Sequence, residues 1–198
     1  SKKIFIENKI KTPKFITYSY DTSMSYLLKK INKKLKFPVV VKPLNEGSSV
    51  NVFICNKKNI LKTLTKLNEY GEVLLEKYIP GREIQVAILE NKVLGAIELR
   101  PTRKFYDYQA KYNPKARTEH IIPVEISKRK YKELSKIALK AHKILNCRGV
   151  TRSDFRYYKN SFYLLETNTQ PGMTSLSLVP EIANFNNITF KNLLKKIL

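Results

Sequence analysis

Apolar residues recur at helical spacing in several stretches of the chain. In the first, an apolar stripe runs from Leu27 to Leu35, and Asp21 or Thr22 can cap its start. A longer stretch has the cap residue Ser127 in front of it and repeats apolar positions every three or four residues. The pattern predicts helices over residues 21–35, 57–68, 127–145 and 189–198.

Shorter apolar runs, bounded by turn residues, predict strands between these helices. The clearest is Phe37–Pro43, a continuous β-branched run that is typical of a buried strand. The predicted strands cover residues 37–43, 50–55, 72–78, 83–90, 92–100, 149–155 and 161–166. Helices mixed with hairpins in this order predict an α+β fold, with largely antiparallel sheets in two lobes.

Lysine gives the chain a strongly basic balance, with 38 basic residues against 16 acidic ones and a formal charge of +22. Such a charge is also found in nucleic-acid-binding modules. However, 30 of the basic residues are Lys and only 8 are Arg, and they are spread along the chain. Because Arg is preferred for forked contacts to bases and phosphates, a compositional bias explains the charge better than a binding patch. The positive charge should nevertheless give the protein a modest attraction for anionic substrates.

The sequence indicates neither a membrane anchor nor a cysteine-based site. It contains no run of about 18 apolar residues and no visible signal peptide. Cys55 and Cys147 lack metal-binding spacing, and His120 and His142 are isolated along the chain. We therefore expect a cytoplasmic protein in which the cysteines form neither a metal site nor a disulfide and the histidines have packing or surface roles.

Two neighbouring strands carry acidic and amide side chains at two-residue spacing. Glu166 and Asn168 leave the same face of one strand, and Arg152 and Asp154 repeat the spacing on the strand before it. If the strands pair, Asp154, Glu166 and Asn168 converge, and their oxygens are ligands that Mg²⁺ prefers. A Pro-Gly turn follows and suits a backbone wrapped closely around a ligand. The pattern indicates a Mg²⁺ site for a nucleoside triphosphate.

Three further segments suit a nucleotide. Lys42 ends a buried strand before the loop Glu46–Val50, whose backbone N–H groups and hydroxyls can cradle phosphate, although a plain hairpin turn is the alternative. Glu76–Ile79 lies where the chain leaves the first lobe, and Glu83 follows; this hinge can bind a base and a ribose, or be merely exposed. Residues 101–120 form a long polar and aromatic loop, and such loops are usually functional lids.

Six motifs occur in a fixed order along the chain. They are Phe37-Pro-Val-Val-Val-Lys-Pro43, Glu46-Gly-Ser-Ser-Val50, Leu75-Glu-Lys-Tyr-Ile-Pro-Gly81, Phe105-Tyr-Asp-Tyr-Gln-Ala-Lys-Tyr112, Arg152-Ser-Asp154 and Glu166-Thr-Asn-Thr-Gln-Pro-Gly-Met-Thr-Ser-Leu-Ser-Leu-Val-Pro180. Together they closely resemble the bacterial D-alanine–D-alanine ligases, which are ATP-grasp enzymes, from about Ser1 to Leu198. The resemblance implies an ATP-grasp fold that clamps ATP, with a central subdomain over residues 1–78 and a C-terminal domain over residues 79–198, including the lid.

The resemblance also implies roles for individual residues. The expected ATP contacts are Lys42, Ser49, Glu76, Lys77, Ile79, Glu83 and Lys111. The expected catalytic residues are Arg152, Ser48, Tyr112 and Gly172. The expected ligands for two Mg²⁺ ions, with Mn²⁺ as a substitute, are Asp154, Glu166 and Asn168. Ser177 and Leu178 are expected to receive the carboxylate of the second D-alanine.

An enzyme of this family joins two D-alanine molecules for peptidoglycan precursor synthesis. ATP phosphorylates the carboxylate of the first D-alanine, and the amine of the second attacks the resulting acyl phosphate. Arg152 and the backbone at Gly172 are expected to stabilise the oxyanion of this step. Because an acyl phosphate hydrolyses in water, a closing lid over residues 101–120 has a purpose. D-alanine and ATP are the expected partners, without nucleic acid or membrane.

The chain departs from the family pattern in two ways. Asn51 stands where Gly is common, and Asn tolerates left-handed backbone better than most residues. The family also carries an N-terminal domain before Ser1, with a substrate-orienting Glu and another ATP-binding Lys. We therefore expect a fragment of a longer homodimeric enzyme, which does not ligate alone. The alternatives are another ATP-grasp carboxylate–amine ligase and a basic nucleic-acid-binding module.

Overall fold

Alternation of buried and exposed side chains builds two antiparallel sheets from the described residues, and each sheet packs against helices. The computed structural model describes residues 1–46, 50–101 and 118–197. These residues divide into two units. We call residues 13–46 and 50–79 the Lys42 unit, and residues 1–12, 80–101 and 118–197 the Asp154 unit, after one residue of each.

Helices and strands follow one another in a mixed order, and the sequence predicts all of them except those over residues 2–7, 15–19, 118–121 and 178–185. The strands of the described residues are β1 (Phe15–Ser19), β2 (Val39–Pro43), β3 (Phe53–Cys55), β4 (Glu72–Lys77), β5 (Arg82–Leu89), β6 (Lys92–Pro101), β7 (Thr118–Ile121), β8 (Val150–Tyr158) and β9 (Ser161–Asn168). Their helices are α1 (Lys2–Glu7), α2 (Met24–Lys34), α3 (Ile60–Lys66), α4 (Lys128–Ile144), α5 (Leu178–Phe185) and α6 (Phe190–Ile197), with a 3₁₀ turn over Asn68–Tyr70. Within the described ranges, no helix is long and apolar enough to cross a membrane.

The Lys42 unit is a four-stranded sheet in the order β1-β4-β2-β3, with every neighbouring pair antiparallel. Alternate residues of β2 and β4, among them Val39, Val41 and Leu75, enter a core shared with α2 and α3. Since successive side chains of a strand point to opposite faces, Lys42 and Glu76 lie on the face away from these helices.

The start of α2 differs from the predicted one. Ser23 is the N-cap residue, and its hydroxyl accepts a hydrogen bond of 3.2 Å from the backbone N–H of Tyr26. The prediction of Asp21 or Thr22 as the cap was therefore wrong by one or two residues. At α4 the cap is Ser127, as predicted, and its hydroxyl accepts a hydrogen bond from the backbone of Lys130.

The Asp154 unit is a five-stranded antiparallel sheet in the order β7-β6-β5-β8-β9. Ile84 and Val86 of β5 and Phe155 of β8 are fully buried on one face. They share a hydrophobic core with Leu134 and Ala138 of α4. The intervening residues of β5 and β8 therefore lie on the opposite face, away from α4.

The first twelve residues pack within the Asp154 unit. Phe5 and Ile10 are buried in its core, and the carbonyl of Lys11 accepts a hydrogen bond of 2.8 Å from the N–H of Leu164. The predicted division into residues 1–78 and 79–198 puts this segment with the first lobe instead. The difference arises because Phe5 of α1 and Ile10 complete a core formed by strands distant in sequence.

His142 is a packing residue of α4. Its side chain is fully buried, and Nδ1 lies 2.8 Å from the hydroxyl oxygen of Thr151. Nε2 is buried and has no hydrogen-bond partner among the residues that the structure describes. Burial, and then the charge of Lys143, lowers the pKa of His142 below its usual value.

We expect acid to destabilise the chain through His142. The unfolded chain gains a proton near pH 6.5, while the folded imidazole stays neutral, so this stability is present above that pH and is lost as pH falls. Between pH 7.5 and 5.5 the loss reaches at most about 1.4 kcal/mol. Urea unfolding at both pH values should show a smaller loss for His142→Gln. Equal losses in the two proteins would contradict this assignment.

Candidate functional site

Rows of side chains run across β5, β8 and β9 on the face of the Asp154 unit that lies away from α4. Gln85, Asp154 and Glu166 are paired directly in one row. Arg152 and Asn168 are paired in the next row. We call this the polar face. It brings Arg152, Asp154, Glu166 and Asn168 together, which are four of the residues that the sequence analysis selected.

A β-bulge turns Glu166 toward the polar face. Asp154 pairs with Glu166, but the next residue of β8, Phe155, pairs with Leu164, so β9 accommodates one extra residue, Leu165. Leu164 is fully buried in the core beside α4, whereas Glu166 is exposed. In an unbroken strand these two residues would share a face. The bulge therefore allows Leu164 to face the core while Glu166 faces the opposite side of the sheet.

Arg152 and Asp154 form a forked ion pair. Nε of Arg152 donates to Oδ1 of Asp154 at 2.8 Å, and Nη2 donates to Oδ2 at 3.1 Å. The side chain of Asp154 is only 7% exposed, and a buried carboxylate is stabilised by a paired charge and by hydrogen bonds. In this structure Arg152 supplies both and fixes the direction of the carboxylate.

The oxygen atoms of the polar face suit Mg²⁺. Asp154 and Glu166 supply carboxylates, and Oδ1 of Asn168 accepts a hydrogen bond of 2.9 Å from the backbone of Gln170, which leaves a second lone pair on that oxygen. The described part of the chain contains no cluster of three His, Cys, Asp or Glu residues. A metal ion here would thus complete its shell with water and phosphate oxygens, which is usual for Mg²⁺.

The turn after β9 folds tightly onto the start of α5. The hydroxyl of Ser177 accepts a hydrogen bond of 3.0 Å from the backbone N–H of Thr174. A Cβ atom at Gly172 would lie 2.7 Å from Oγ of Ser177, so glycine permits this close approach. The side chain of Leu178 is buried. A ligand at this turn would therefore meet the backbone of Leu178 and the hydroxyl of Ser177.

Glu83 pairs with Arg156, a residue that the sequence analysis did not select. Oε2 of Glu83 lies 3.0 Å from Nη2 of Arg156, and Nη1 of Arg156 donates to the carbonyl of Gly81 at 3.0 Å. Glu83 and Arg156 are 8% and 9% exposed. Gly81 has a φ of +106°, and a Cβ there would collide with the carbonyl oxygen of Tyr157. Arg156 thus fixes both the carboxylate and the Pro-Gly turn.

Lys42 and Glu76 form an ion pair within the Lys42 unit. Nζ of Lys42 lies 2.7 Å from Oε1 of Glu76, and the two side chains are 19% and 4% exposed. The pair lies on neighbouring strands, on the face away from α2 and α3. In the hinge that follows, Lys77 is exposed, and the side chain of Ile79 is buried.

Four predicted site residues lie outside the described residues: Ser48, Ser49, Lys111 and Tyr112. Most of the predicted lid, residues 101–120, also lies outside them. Its described ends are adjacent, because Pro101 of β6 pairs with Thr118 of β7.

Gln85 is the second residue of the site that the sequence analysis missed. It is fully buried, and neither its Nε2 nor its Oε1 has a hydrogen-bond partner within residues 1–46, 50–101 and 118–197. Its spacing from Glu83 was the available signal, because two polar residues two positions apart in an apolar strand indicate a polar face. Arg156 continues the alternation of Arg152 and Asp154 in the same way.

Comparison with solved structures identifies the architecture as the ATP-grasp fold. The D-alanine–D-alanine ligase from Bacillus anthracis superposes with a TM-score of 0.86 at 35% sequence identity, covering 99% of this chain and 64% of that one. The same enzyme complexed with ATP gives a TM-score of 0.83 at 33% identity, with 99% and 63% coverage. The prediction of an α+β ATP-grasp fold is confirmed.

Sequence comparison identifies the family. The chain is 61% identical over 198 residues to the D-alanine–D-alanine ligase of Pelagibacter ubique strain HTCC1062, which covers 100% of this chain and 65% of that protein. Residues 5–198 match the family described as the D-ala D-ala ligase C-terminus, and the chain belongs to this family. The chain thus spans somewhat less than two thirds of the length of this relative.

We expect Arg156→Met to destabilise the chain by about 3 kcal/mol, because the buried Glu83 carboxylate loses its cationic partner. Urea unfolding measures the loss. The double variant Glu83→Gln, Arg156→Met should recover about half of it, since it removes the carboxylate together with the Arg156 cation. Arg148→Met, at an exposed position, is the matched control and should change stability by less than about 0.5 kcal/mol. A double variant no more stable than the single one would refute this account.

Proposed function

We propose that the chain is the ATP-binding, catalytic part of a D-alanine–D-alanine ligase, which makes the dipeptide used in peptidoglycan precursors. The observation that carries this proposal is the polar face, where Arg152, Asp154, Glu166 and Asn168 occupy adjacent rows in a chain of this family. The identity to the Pelagibacter ubique ligase and the likeness to the ATP complex of the Bacillus anthracis ligase support D-alanine and ATP as substrates.

Each unit by itself carries groups that suit parts of ATP. In the Lys42 unit, Lys42 supplies a point charge for phosphate oxygens, and Glu76, 2.7 Å away, fixes the direction of its side chain. In the Asp154 unit, Arg156 orients the carboxylate of Glu83, which can accept hydrogen bonds from ribose hydroxyls. The full proposed set for ATP is Lys42, Ser49, Glu76, Lys77, Ile79, Glu83 and Lys111.

Asp154, Glu166 and Asn168 would hold the two Mg²⁺ ions, or Mn²⁺. When bound, these ions neutralise the phosphate charge that opposes phosphoryl transfer. The chain's own contribution is to present two carboxylates on a rigid sheet. The fork from Arg152 fixes the direction of the Asp154 side chain before a metal ion binds, and the bulge at Leu165 keeps Glu166 on the same face.

Arg152 and the turn after β9 suit the amide-forming step. The carboxylate of the first D-alanine takes the γ-phosphoryl group of ATP, and the amine of the second D-alanine then displaces phosphate. Arg152 and the backbone N–H of Gly172 would donate to the oxyanion that develops. Ser177 and the N–H of Leu178, at the start of α5, suit the carboxylate of the second D-alanine. Ser48 and Tyr112 complete the proposed catalytic set.

We further propose that the full-length enzyme is a homodimer in the cytoplasm. The thiols of Cys55 and Cys147 are free, which supports a reducing compartment.

A hybrid enzyme tests the proposed activity. The chain replaces the matching segment of the Pelagibacter ubique ligase, and the hybrid is assayed for D-alanyl-D-alanine and phosphate. We expect D-alanine-dependent product, and Arg152→Met should lower kcat by about 10²–10³ with a smaller change in the KM for ATP. The exposed control Arg148→Met should leave kcat unchanged. ATP turnover that is indifferent to D-alanine would overturn the proposed substrate.

Mn²⁺ binding tests the proposed metal site in the chain itself. Electron paramagnetic resonance measures free Mn²⁺ in the presence of a non-hydrolysable ATP analogue. Glu166→Gln should weaken binding at least about tenfold, because it removes a charged ligand from an exposed position where folding tolerates the change. Glu72→Gln, which alters an exposed carboxylate in the Lys42 unit, should bind like the wild type. Equal affinities in all three proteins would rule the site out.

A further inference from the structure

The side chain of Gln85 lowers the stability of the fold at its buried position. Its side chain is fully buried, and within the described ranges neither amide atom has a hydrogen-bond partner. Burying an unsatisfied carboxamide costs free energy that an apolar side chain of similar volume would not cost. The flanking residues, Ile84 and Val86, show that β5 accepts apolar residues readily. An unpaired buried amide in such a strand calls for an explanation beyond packing.

The pairing of β5 with β8 places Gln85 directly opposite Asp154, and Glu166 follows in the same row. On the other side, across β6, the partner is Ile97. Directly opposed residues of an antiparallel pair have Cβ atoms about 4.5–5.5 Å apart. The amide of Gln85 is therefore within reach of the Asp154 carboxylate and has no competing polar partner on the β6 side of its row.

In this structure the Asp154 carboxylate is held by Arg152 and not by Gln85. The guanidinium donates to both carboxylate oxygens, at 2.8 and 3.1 Å. An Arg held in this way neutralises the carboxylate and opposes a second cation. A neutral amide donor would orient the same carboxylate and leave its negative charge available.

We propose that Gln85 is a positioning residue for Asp154. When Arg152 releases the carboxylate, Nε2–H of Gln85 donates to it and holds it in place as a ligand for a divalent cation. Gln85 thus replaces Arg152 as the hydrogen-bond donor to Asp154, so that a neutral partner takes the place of a charged one. This inference rests on the proposed function, because it assumes that Asp154 binds the cation.

The competing explanation is that Gln85 only fills volume, and one variant separates the two. Gln85→Met keeps the volume and removes the unsatisfied amide. It should raise the melting temperature by about 2–4 °C and weaken Mn²⁺ binding about tenfold, the lower end for losing a group that orients a metal ligand. Gain of stability with loss of affinity is not expected of a residue that only packs.

The experiment measures Mn²⁺ affinity of the chain by electron paramagnetic resonance, with the non-hydrolysable ATP analogue present. Ile97→Met, on the other side of Gln85 in the same row, is the matched control and should keep wild-type affinity. Gln85→Leu repeats the test if Gln85→Met does not fold. Because Gln85 acts through Asp154, Gln85→Met should have no further effect in an Asp154→Asn background.

The outcomes distinguish this inference from the proposed function. If Glu166→Gln weakens Mn²⁺ binding but Gln85→Met and Gln85→Leu do not, the metal site stands and the role of Gln85 is refuted. The same conclusion follows if Gln85→Met weakens binding equally with and without Asp154. If wild type and Glu166→Gln bind Mn²⁺ alike, the proposed site fails, and the inference fails with it.

Discussion

Two-residue alternation along β5, β8 and β9 is the constraint on which the Asp154 unit depends. One face of these strands is largely apolar, because it is buried beneath α4. The other face can then carry Arg152, Asp154, Glu166 and Asn168 on a backbone that the core holds rigid. Slipping any of these strands by one residue would bury charge and expose the core, so the packing that stabilises the fold also fixes the register of the site.

Four buried carboxylates of the described residues lie in ion pairs: Glu76, Glu83, Glu98 and Asp154. Glu98 is fully buried, and Nε of Arg82 and of Arg100 lies 2.7 and 3.2 Å from its Oε1. Burial alone would raise the pKa of Glu98, but hydrogen bonds from Arg82 and Arg100 lower it below its usual value. Such pairs add little net stability, whereas losing one partner is costly. Their main effect here is to fix the direction of side chains, as Glu76 does for Lys42.

Local sequence patterns predict much of this protein, and long-range contacts account for what they miss. Periodicity finds most helices and strands, and two-residue spacing finds Asp154, Glu166 and Asn168. It does not find the short elements α1, β1 and β7. It also misses α5, an eight-residue helix with Pro180 in its first turn, which resembles a loop. It cannot assign residues 1–12 to a unit, because their contacts are with strands far along the chain. The roles of Gln85 and Arg156 can be recognised only from the residues beside them on neighbouring strands, which the sequence does not show.

The bulge in β9 makes the number of residues in this strand a functional property. Residues before Leu165 and residues after it are in opposite phase: Leu164 faces the core, while Glu166 faces away from it. If the strand paired regularly and kept all its residues, the carboxylate of Glu166 and the carboxamide of Asn168 would turn toward α4. Deleting Leu165 would instead remove the extra residue, so Leu164 and Glu166 would become neighbours on opposite faces and the ligands would stay on the polar face. A one-residue gap here in a relative would thus replace the bulge by a regular strand that carries the same ligands on the same face.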